Sequence, residues 1–346
     1  MKDIIAVDLF CGAGGLTRGL LDAKIKVTKG FDNNENFKET YEKNNPGTVF
    51  SSKDICDLTG SEVLKDLDLK NNYLLLAGCA PCQPFSNINK KEVTKDNRKF
   101  LLLEFGRLVE ETKPDFIFIE NVPGLATGKG RIIFETFKKK LKKMKYHFDY
   151  NVVDAKSYGV PQKRMRLILL ASAHTPIKFP KPTHGKEKSL SSYVTVRDAI
   201  SSYPAIKAGA KHKTIFNHNT RSLSTINKTR LEHIKKNGGS RFDLPDDLVL
   251  DCHKKHNGHS DVYGRMWWDK ASPTLTCKCT SISNGRFAHP TQKRGISVRE
   301  AAALQTFDDN YRFYGTLTNN TIMVGNAVPP LLAKKIGIVF LNKDSF

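Results

Sequence analysis

The sequence lacks the features that would direct it to a membrane. No apolar run approaches the roughly 20 residues that a membrane-spanning helix needs. Asp8 interrupts the first apolar run, so the N-terminus does not resemble a signal peptide. Acidic residues are also scarce, because 35 aspartates and glutamates face 56 lysines and arginines, a net charge of +21. This imbalance predicts a polyanionic partner, and we expect nucleic acid rather than an anionic membrane.

Paired cysteines and metal-ligand patterns are equally sparse. The seven cysteines form an odd, scattered set, which is typical of reduced thiols in a cytosol-like compartment. Cys79 and Cys82 form one C-x-x-C, a pattern typical of a redox pair or of half a zinc site. No second pair completes a zinc site, and Phe85 stands where a zinc deaminase needs its next cysteine. Another group has no standard zinc-finger spacing, so we predict no metal there. Its members are Cys252, His253, His256, His259, Cys277 and Cys279.

The common nucleotide-binding motifs are absent, yet a glycine-rich turn is present. The glycines match neither G-x-G-x-x-G nor a P-loop. A strand-like run over residues 4–10 is followed by the turn at residues 11–15 and by a helical pattern from Leu16. Asp32, twenty residues after Gly12, ends the second strand-like run, and Asp54 follows the third. Carboxylates at such strand ends bind nucleoside hydroxyls in doubly wound sheets, so we predict an adenosine-type cofactor.

Two acid-base or nucleophile candidates follow later strands. Cys82 lies between Pro81 and Pro84 in a loop after an apolar strand, which indicates either a stiffened nucleophilic thiol or a structural loop. Glu120 ends another buried strand before a Pro-Gly turn, and it is either a catalytic carboxylate or a cap. Further along, residues 162–166 alternate so that two arginines share one side of an extended chain, suited to a base or phosphate or to protecting a sheet edge.

Charge and composition divide the chain. Residues 176–296 carry 22 lysines and arginines against 9 acidic residues, a net charge of +13, and eight of the ten histidines. This segment is rich in proline, glycine and hydroxyl residues and mixes them with aromatic side chains, which favours contact with bases and phosphates. We therefore predict a large α/β domain over residues 1–175 and 297–346, and a DNA-binding domain over residues 176–296. Ser297 and Glu300 predict a capping box where regular structure resumes.

Six motifs in a fixed order resemble the cytosine-C5 DNA methyltransferase family. They are D-L-F-C-G-A-G-G at 8–15, P-C-Q-P-F-S at 81–86, E-N-V-P-G at 120–124, Q-K-R-M-R at 162–166, R-E-A-A-A-L-Q-T-F at 299–307 and G-N-A-V-P-P at 325–330. The resemblance implies a class I S-adenosylmethionine-dependent (Rossmann-like) methyltransferase fold. It also implies a small irregular target-recognition domain inserted near the C-terminus, and a last helix that packs back on the large domain.

The resemblance also assigns roles to individual residues. The catalytic set is Cys82, Glu120, Arg164 and Arg166. The implied cofactor-binding set is Phe10, Gly12, Gly14, Asp32, Asn33, Asp54, Ile55, Pro81, Leu101, Asn326 and Val328. Asn33 stands where many relatives have an aromatic residue that stacks on adenine. The implied DNA contacts are Ser86, Arg265, Thr274 and Leu275.

The implied reaction is methyl transfer from S-adenosylmethionine to C5 of a flipped-out cytosine, through a covalent bond between Cys82 and C6. The expected substrate is a short specific sequence in double-stranded DNA, and the expected enzyme is a monomeric, cytoplasmic, nucleoid-associated modification enzyme of a bacterial restriction-modification system. One family branch methylates tRNA, but its Cys-Phe-Thr signature is absent here. A catalytically inactive relative would lack Cys82 or Glu120, and both are present.

Overall fold

The computed structural model describes residues 2–81, 100–128, 130–254, 258 and 260–341. The chain divides into two compact units. The first, which we call the sheet unit, comprises residues 1–158, 165–182 and 328–346. The second unit comprises residues 159–164 and 183–327.

A seven-stranded sheet forms the centre of the sheet unit. Its described strands are β1 (Asp3–Leu9), β2 (Lys26–Asp32), β3 (Val49–Ser52), β4 (Asn72–Gly78), β5 (Phe116–Asn121), β6 (His147–Asp154) and β7 (Met165–Ser172). The order across the sheet is β3-β2-β1-β4-β5-β7-β6. The first five strands run parallel, and β7 is antiparallel to both of its neighbours. The carboxyl ends of β1, β2, β4 and β5 consequently meet at one edge of the sheet.

Continuous apolar sequence explains why the central strands are buried on both faces. Every residue of β5 is buried, as are the last five of β4. Such strands need helices on both sides, because a parallel sheet leaves no face for solvent. The helices of the sheet unit are α1 (Gly15–Asp22), α2 (Lys38–Asn44), α3 (Gly60–Leu64), α4 (Leu101–Thr112), α5 (Gly124–Thr127), α6 (Arg131–Lys143) and α12 (Pro330–Gly337).

The last helix closes one face of the sheet unit against the first helix. Gly19 of α1 faces α12 so closely that a Cβ there would overlap the Cβ of Ala333 and the carbonyl of Pro330. Beyond α12, the ring of Phe340 lies 5.5 Å from that of Phe116 in β5. The expectation that the C-terminal helix packs back on the large domain is therefore confirmed.

The second unit contains little regular structure. Its described helices are α7 (Val196–Ile200), α8 (Thr225–His233), α9 (Asp251–Lys254), α10 (Val298–Leu304) and α11 (Leu317–Asn326). The predicted capping box at the start of α10 is present. The Glu300 carboxylate in that box also pairs with Arg294, at 2.6 and 2.7 Å.

The compact units do not follow the predicted domain boundaries. Residues 297–327 belong to the second unit, whereas residues 176–182 belong to the sheet unit. The physical reason lies in buried polar contacts: Arg299 of α10 donates to the carbonyl of Phe216, and Asn217 exchanges hydrogen bonds with Phe313. The function of each domain stays a prediction.

One apolar helical stretch of the described residues departs from the expectation that no run is long enough to span a membrane. Leu317–Leu341 is long and apolar enough to cross a membrane by length and composition. It contains α11 and α12, and Pro329 lies between these two helices. Of its most apolar 18 residues, 67% are buried within the protein. Such burial is typical of a core helix, so the stretch is weak evidence for a membrane segment.

The contact between α1 and α12 generates a stability prediction. Gly19→Ala should lower the free energy of unfolding by roughly 2 kcal/mol, because the added methyl overpacks a backbone contact. A loss of stability would be informative, because helix propensity alone predicts that alanine stabilises the helix relative to glycine by about 1 kcal/mol. Urea denaturation would measure the change.

The control is Arg18→Ala on the same helix, which loses only a partly exposed ion pair with Asp22 and should cost less than about 1 kcal/mol. A Gly19→Ala protein as stable as the wild type would contradict the close packing.

Candidate active site

The glycine turn after β1 takes a backbone shape that few side chains tolerate. Gly12 and Gly14 have φ values of 53° and 85°, and Phe10 has a φ of 60°. A non-glycine residue in the left-handed region is strained, and such strain is common at binding sites. Gly14 is the N-cap of α1 and has no side chain to bond the first N–H groups of the helix. The turn therefore presents backbone donors at the edge of the sheet.

Asp32 fastens this turn from the neighbouring strand. Its carboxylate accepts the N–H of Gly12 and the N–H of Asn34, both at 3.0 Å. Burial raises the pKa of Asp32, while these two hydrogen bonds oppose the rise. Because Asp32 ends β2 beside β1, one carboxylate links two strand ends.

The predicted adenosine-binding residues lie next to Asp32. The side chain of Asn33 donates to the Asp54 carboxylate at 3.3 Å. Asp54 also accepts the N–H of Cys56 at 2.9 Å, and this bond lowers the pKa of Asp54. Ile55 is buried beside it. The ends of β2 and β3 thus bring Asp32, Asn33, Asp54 and Ile55 together, although their contact with a cofactor stays a prediction.

Sequence reasoning missed a buried polar chain beneath the turn. Asp8 of β1 is fully buried and accepts the hydroxyl of Thr17 at 2.7 Å. The Tyr41 hydroxyl lies 2.9 Å from the Thr17 hydroxyl. Burial raises the pKa of Asp8 to about 7, against the opposing effect of the hydrogen bonds from Thr17. The signal in the sequence was an aspartate inside an otherwise apolar strand.

Glu120 occupies the end of β5, where both of its oxygens have partners. Its side chain is 2% exposed. Arg166 Nε lies 2.9 Å from Oε1, and the thiol of Cys79 donates to Oε2 at 2.9 Å. Asn121 next to it donates to the carbonyl of Ala80 at 3.2 Å, which fastens the chain that leads towards Cys82. Cys82 and Ser86 themselves lie outside the described residues.

Arg164 contacts different groups from Arg166. Its guanidinium is buried in the second unit and donates to the carbonyls of Leu275 and Ala327 at 3.0 and 3.1 Å. The alternation in the sequence predicted that both arginines would lie on one side of an extended chain, suited to a base or phosphate. These contacts instead indicate that Arg164 holds three chain segments of the second unit together.

The remaining predicted cofactor residues are distributed over both units. Leu101 begins α4 and packs against the core of the sheet unit. Pro81 is half-buried and Val328 is buried, both in the sheet unit. Asn326 is exposed and ends α11 in the second unit. Their predicted contacts with a cofactor stay predictions.

The predicted DNA contact by Arg265 does not agree with its surroundings. The side chain is 2% exposed, and it donates to the carbonyls of Leu231, Ile234 and His289 at 2.7 to 3.2 Å. A guanidinium enclosed by backbone carbonyls stabilises the second unit and is not available to a phosphate or a base.

Thr274 and Leu275 form hydrogen bonds with Lys163 and Gln162 of the second unit. Thr274 donates its hydroxyl to the carbonyl of Lys163 at 2.7 Å, and the N–H of Leu275 donates to Gln162 Oε1 at 2.9 Å. The Leu275 side chain is buried, whereas Thr274 is partly exposed. DNA contact by these two residues stays a prediction. Thr274 suits it better than Leu275 does, because only Thr274 is partly exposed to solvent.

No cluster of three metal-ligating side chains occurs in the part of the chain that the structure describes. His256 and His259 of the sequence-selected group lie outside that part. The expectation of a metal-free protein accordingly stays a prediction.

A parallel sheet with one reversed strand, a glycine turn after β1 and carboxylates at neighbouring strand ends define a class I S-adenosylmethionine-dependent methyltransferase fold. A DNA modification methyltransferase encoded within an E. coli prophage has the same fold, with a TM-score of 0.76 at 23% identity over 98% of this chain and 99% of that one. The Entamoeba histolytica methyltransferase EhMeth gives a TM-score of 0.64 at 20% identity, covering 99% and 100% of the two chains. The predicted fold class is confirmed.

The sequence model of the family described as C-5 cytosine-specific DNA methylase matches residues 4–341, and the chain belongs to that family. The type II methylase M.HgiDII of Herpetosiphon aurantiacus is 43% identical over 336 residues, which cover 95% of this chain and 93% of that protein. The type II methyltransferase M1.HphI of Haemophilus parahaemolyticus is 31% identical over 342 residues, with coverage of 98% and 87%. The protein is a DNA cytosine-5-methyltransferase.

The buried Asp8 generates a pH prediction. Its folded pKa of about 7 lies above the ordinary value of 3.8. The protonated form is therefore favoured by folding, and the contribution of Asp8 to the free energy of unfolding decreases as the pH rises from about 4 to about 7. Asp8→Asn removes this titration. The stability difference, wild type minus variant, should fall by roughly 3 kcal/mol between pH 5 and pH 8. Urea denaturation across this range would measure it, and a difference independent of pH would contradict the assignment.

Proposed function

We propose that the enzyme transfers a methyl group from S-adenosylmethionine to C5 of a cytosine flipped out of a specific short DNA duplex. In this proposal Cys82 bonds transiently to C6 of the base. The enzyme acts as a monomer in the bacterial cytoplasm, on the DNA of the nucleoid, and modifies the site of a cognate restriction endonuclease.

The observation that carries the proposal is the arrangement of Glu120 relative to the glycine turn. Gly78 of β4 pairs with Leu9 of β1 on one side and with Ile119 of β5 on the other. The next residue, Cys79, donates its N–H to the Leu9 carbonyl and its thiol to Glu120. The start of the Cys82 loop thus lies between the turn and the carboxylate, which supports one reaction centre at this edge.

The residues at the sheet edge have the chemistry that S-adenosylmethionine requires. A Cβ at Gly12 would meet no described atom within 4 Å, so the turn leaves space for a ligand. Each oxygen of Asp32 has one backbone donor and a remaining lone pair for a ribose hydroxyl. Asp54 and Ile55 offer an acceptor and an apolar surface to adenine. When bound, the cofactor supplies an electrophilic methyl group.

The side chains of the chain perform the remaining chemistry. Cytosine C5 is a weak nucleophile, so the Cys82 thiolate adds to C6 and shifts electron density to C5. Glu120 holds the N3 and N4 edge of the base and supplies a proton as the ring accepts that density. Arg166, which pairs with Glu120, holds O2 of the base in this proposal. After methylation a base removes the C5 proton, the C5–C6 double bond re-forms and Cys82 leaves.

DNA is favoured as the substrate over tRNA by charge and by the absence of the tRNA branch's signature. The net charge of +13 over residues 176–296 suits a polyanion, and the partly exposed Thr274 suits a phosphate contact. The base must leave the helix because C6 is inaccessible to a thiolate within a stacked duplex.

Asp32 generates a prediction about cofactor affinity. Asp32→Ala should weaken binding of S-adenosylhomocysteine by roughly 10- to 100-fold, because it removes a charged acceptor and releases Gly12. Isothermal titration calorimetry would measure the dissociation constant. Glu35→Ala, an exposed acid just beyond the same strand, is the control and should change the affinity less than about twofold. An unchanged affinity in Asp32→Ala would remove this residue from the cofactor site.

Cys82 generates a prediction about covalent catalysis. Cys82→Ser should lower the single-turnover rate of methyl transfer by at least about a thousandfold, because a hydroxyl is a far weaker nucleophile near neutral pH. Its affinity for duplex DNA should stay within about threefold of the wild type. Wild-type enzyme should also form a denaturation-resistant adduct with 5-fluorocytosine DNA, since fluorine at C5 blocks the final elimination.

The control for these measurements is Cys252→Ser, which alters an exposed thiol of the second unit. It should keep both the rate and the adduct. Normal turnover in Cys82→Ser would refute the covalent route, while methylation of tRNA in preference to DNA would favour the alternative substrate. Bisulfite sequencing of DNA from cells that express the enzyme would identify the recognition sequence.

A further inference from the structure

Cys79, the first cysteine of the C-x-x-C, has no part in the proposed reaction. Its thiol nevertheless contacts Glu120, a proposed catalytic residue. Cys79 directly follows β4, and the pairing of Gly78 with Ile119 places it beside Glu120. Its sulfur lies 2.9 Å from Glu120 Oε2. Its observed partner is therefore a carboxylate, whereas the sequence had suggested a redox partner or a metal as the alternatives.

Glu120 is held from both sides of its own strand. β5 lies between β4 and β7 in the sheet. Arg166 of β7 pairs with Oε1, and Cys79 beyond β4 donates to Oε2. The terminal torsion of a glutamate is broad, so a partner on one oxygen leaves the carboxylate plane free to turn. Partners on both oxygens, from two different strands, fix that plane.

We propose that Cys79 is a positioning residue that orients the Glu120 carboxylate for the target base. The inference rests on the proposed role of Glu120. A thiol is a weak donor, so it can hold Oε2 and still release it when the base offers its own donor. Arg166 keeps its ion pair with Oε1 meanwhile, and the carboxylate meets the base in a fixed orientation.

The experiment compares Cys79→Ala, which removes the donor, with Cys79→Ser, which keeps one. In single-turnover methylation of hemimethylated DNA, Cys79→Ala should be slower by roughly tenfold. Cys79→Ser should recover to within about threefold of the wild type. Affinities for S-adenosylhomocysteine and for DNA should change less than about twofold in both variants. Cys252→Ser again serves as the matched control.

A double-mutant cycle tests whether Cys79 acts through Glu120. In a Glu120→Gln background, Cys79→Ala should change the residual rate less than about twofold, because the group that it positions has been altered. A tenfold effect that persists in this background would overturn the proposal.

Other outcomes are equally decisive. A wild-type rate in Cys79→Ala, or a Cys79→Ser protein as slow as Cys79→Ala, would overturn the role of the donor. Loss of cofactor affinity or failure to fold in Cys79→Ala would assign the thiol to the structure of the loop and also overturn the proposal. Failure of the proposed function would look different, since the wild-type enzyme itself would then form no adduct with 5-fluorocytosine DNA.

Discussion

The ion pair between Glu120 and Arg166 is the interaction on which the proposed catalytic arrangement depends. A buried carboxyl group in an apolar strand is costly unless polar partners compensate for lost water. The sheet supplies both, because β7 brings the arginine and the chain after β4 brings a thiol. The reversed direction of β7 matters here. It places Arg166 near the start of its strand, at the same edge where the parallel strands end.

Polar contacts between neighbouring strand ends also assemble the edge of the sheet that is proposed to bind the cofactor. Asp32 reaches from β2 to the turn after β1, and Asn33 reaches towards the chain after β3. Each polar side chain thus joins the end of its own strand to that of a neighbour. Beneath them, Asp8, Thr17 and Tyr41 form a buried polar chain that links β1, α1 and α2. The residues proposed to bind the cofactor lie far apart in sequence, and these cross-strand contacts bring them together.

Most of the sheet unit could be predicted from the sequence, because apolar runs and glycine turns report local structure. The apolar strand predicted before the Cys82 loop is observed as Asn72–Gly78, and the buried strand predicted to end at Glu120 is observed as Phe116–Asn121. The carboxylates at strand ends were also found in this way. The contact between Cys79 and Glu120 was not, because it depends on the register between two strands, which no local pattern encodes.

The second unit was harder to predict, because its arginines serve its interior. Arg265, Arg294 and Arg299 are among the largest fully buried side chains of the described residues. The resemblance predicted a DNA contact for Arg265, yet backbone carbonyls hold this side chain inside. Glu300 and a backbone carbonyl likewise hold Arg294 and Arg299 inside. A unit with few strands and short helices leaves many carbonyls without partners, and a five-donor guanidinium satisfies several at once. Composition alone does not distinguish that use from DNA binding.

The packing of α12 against α1 has a consequence for synthesis on the ribosome. The first helix emerges early, but the surface that covers it is encoded after residue 328, beyond the whole of the second unit. Until translation reaches that point, the apolar side of the nascent sheet remains uncovered. Closure of the sheet unit is therefore a late, long-range event in the synthesis of the chain, and apolar surface that stays exposed meanwhile favours aggregation.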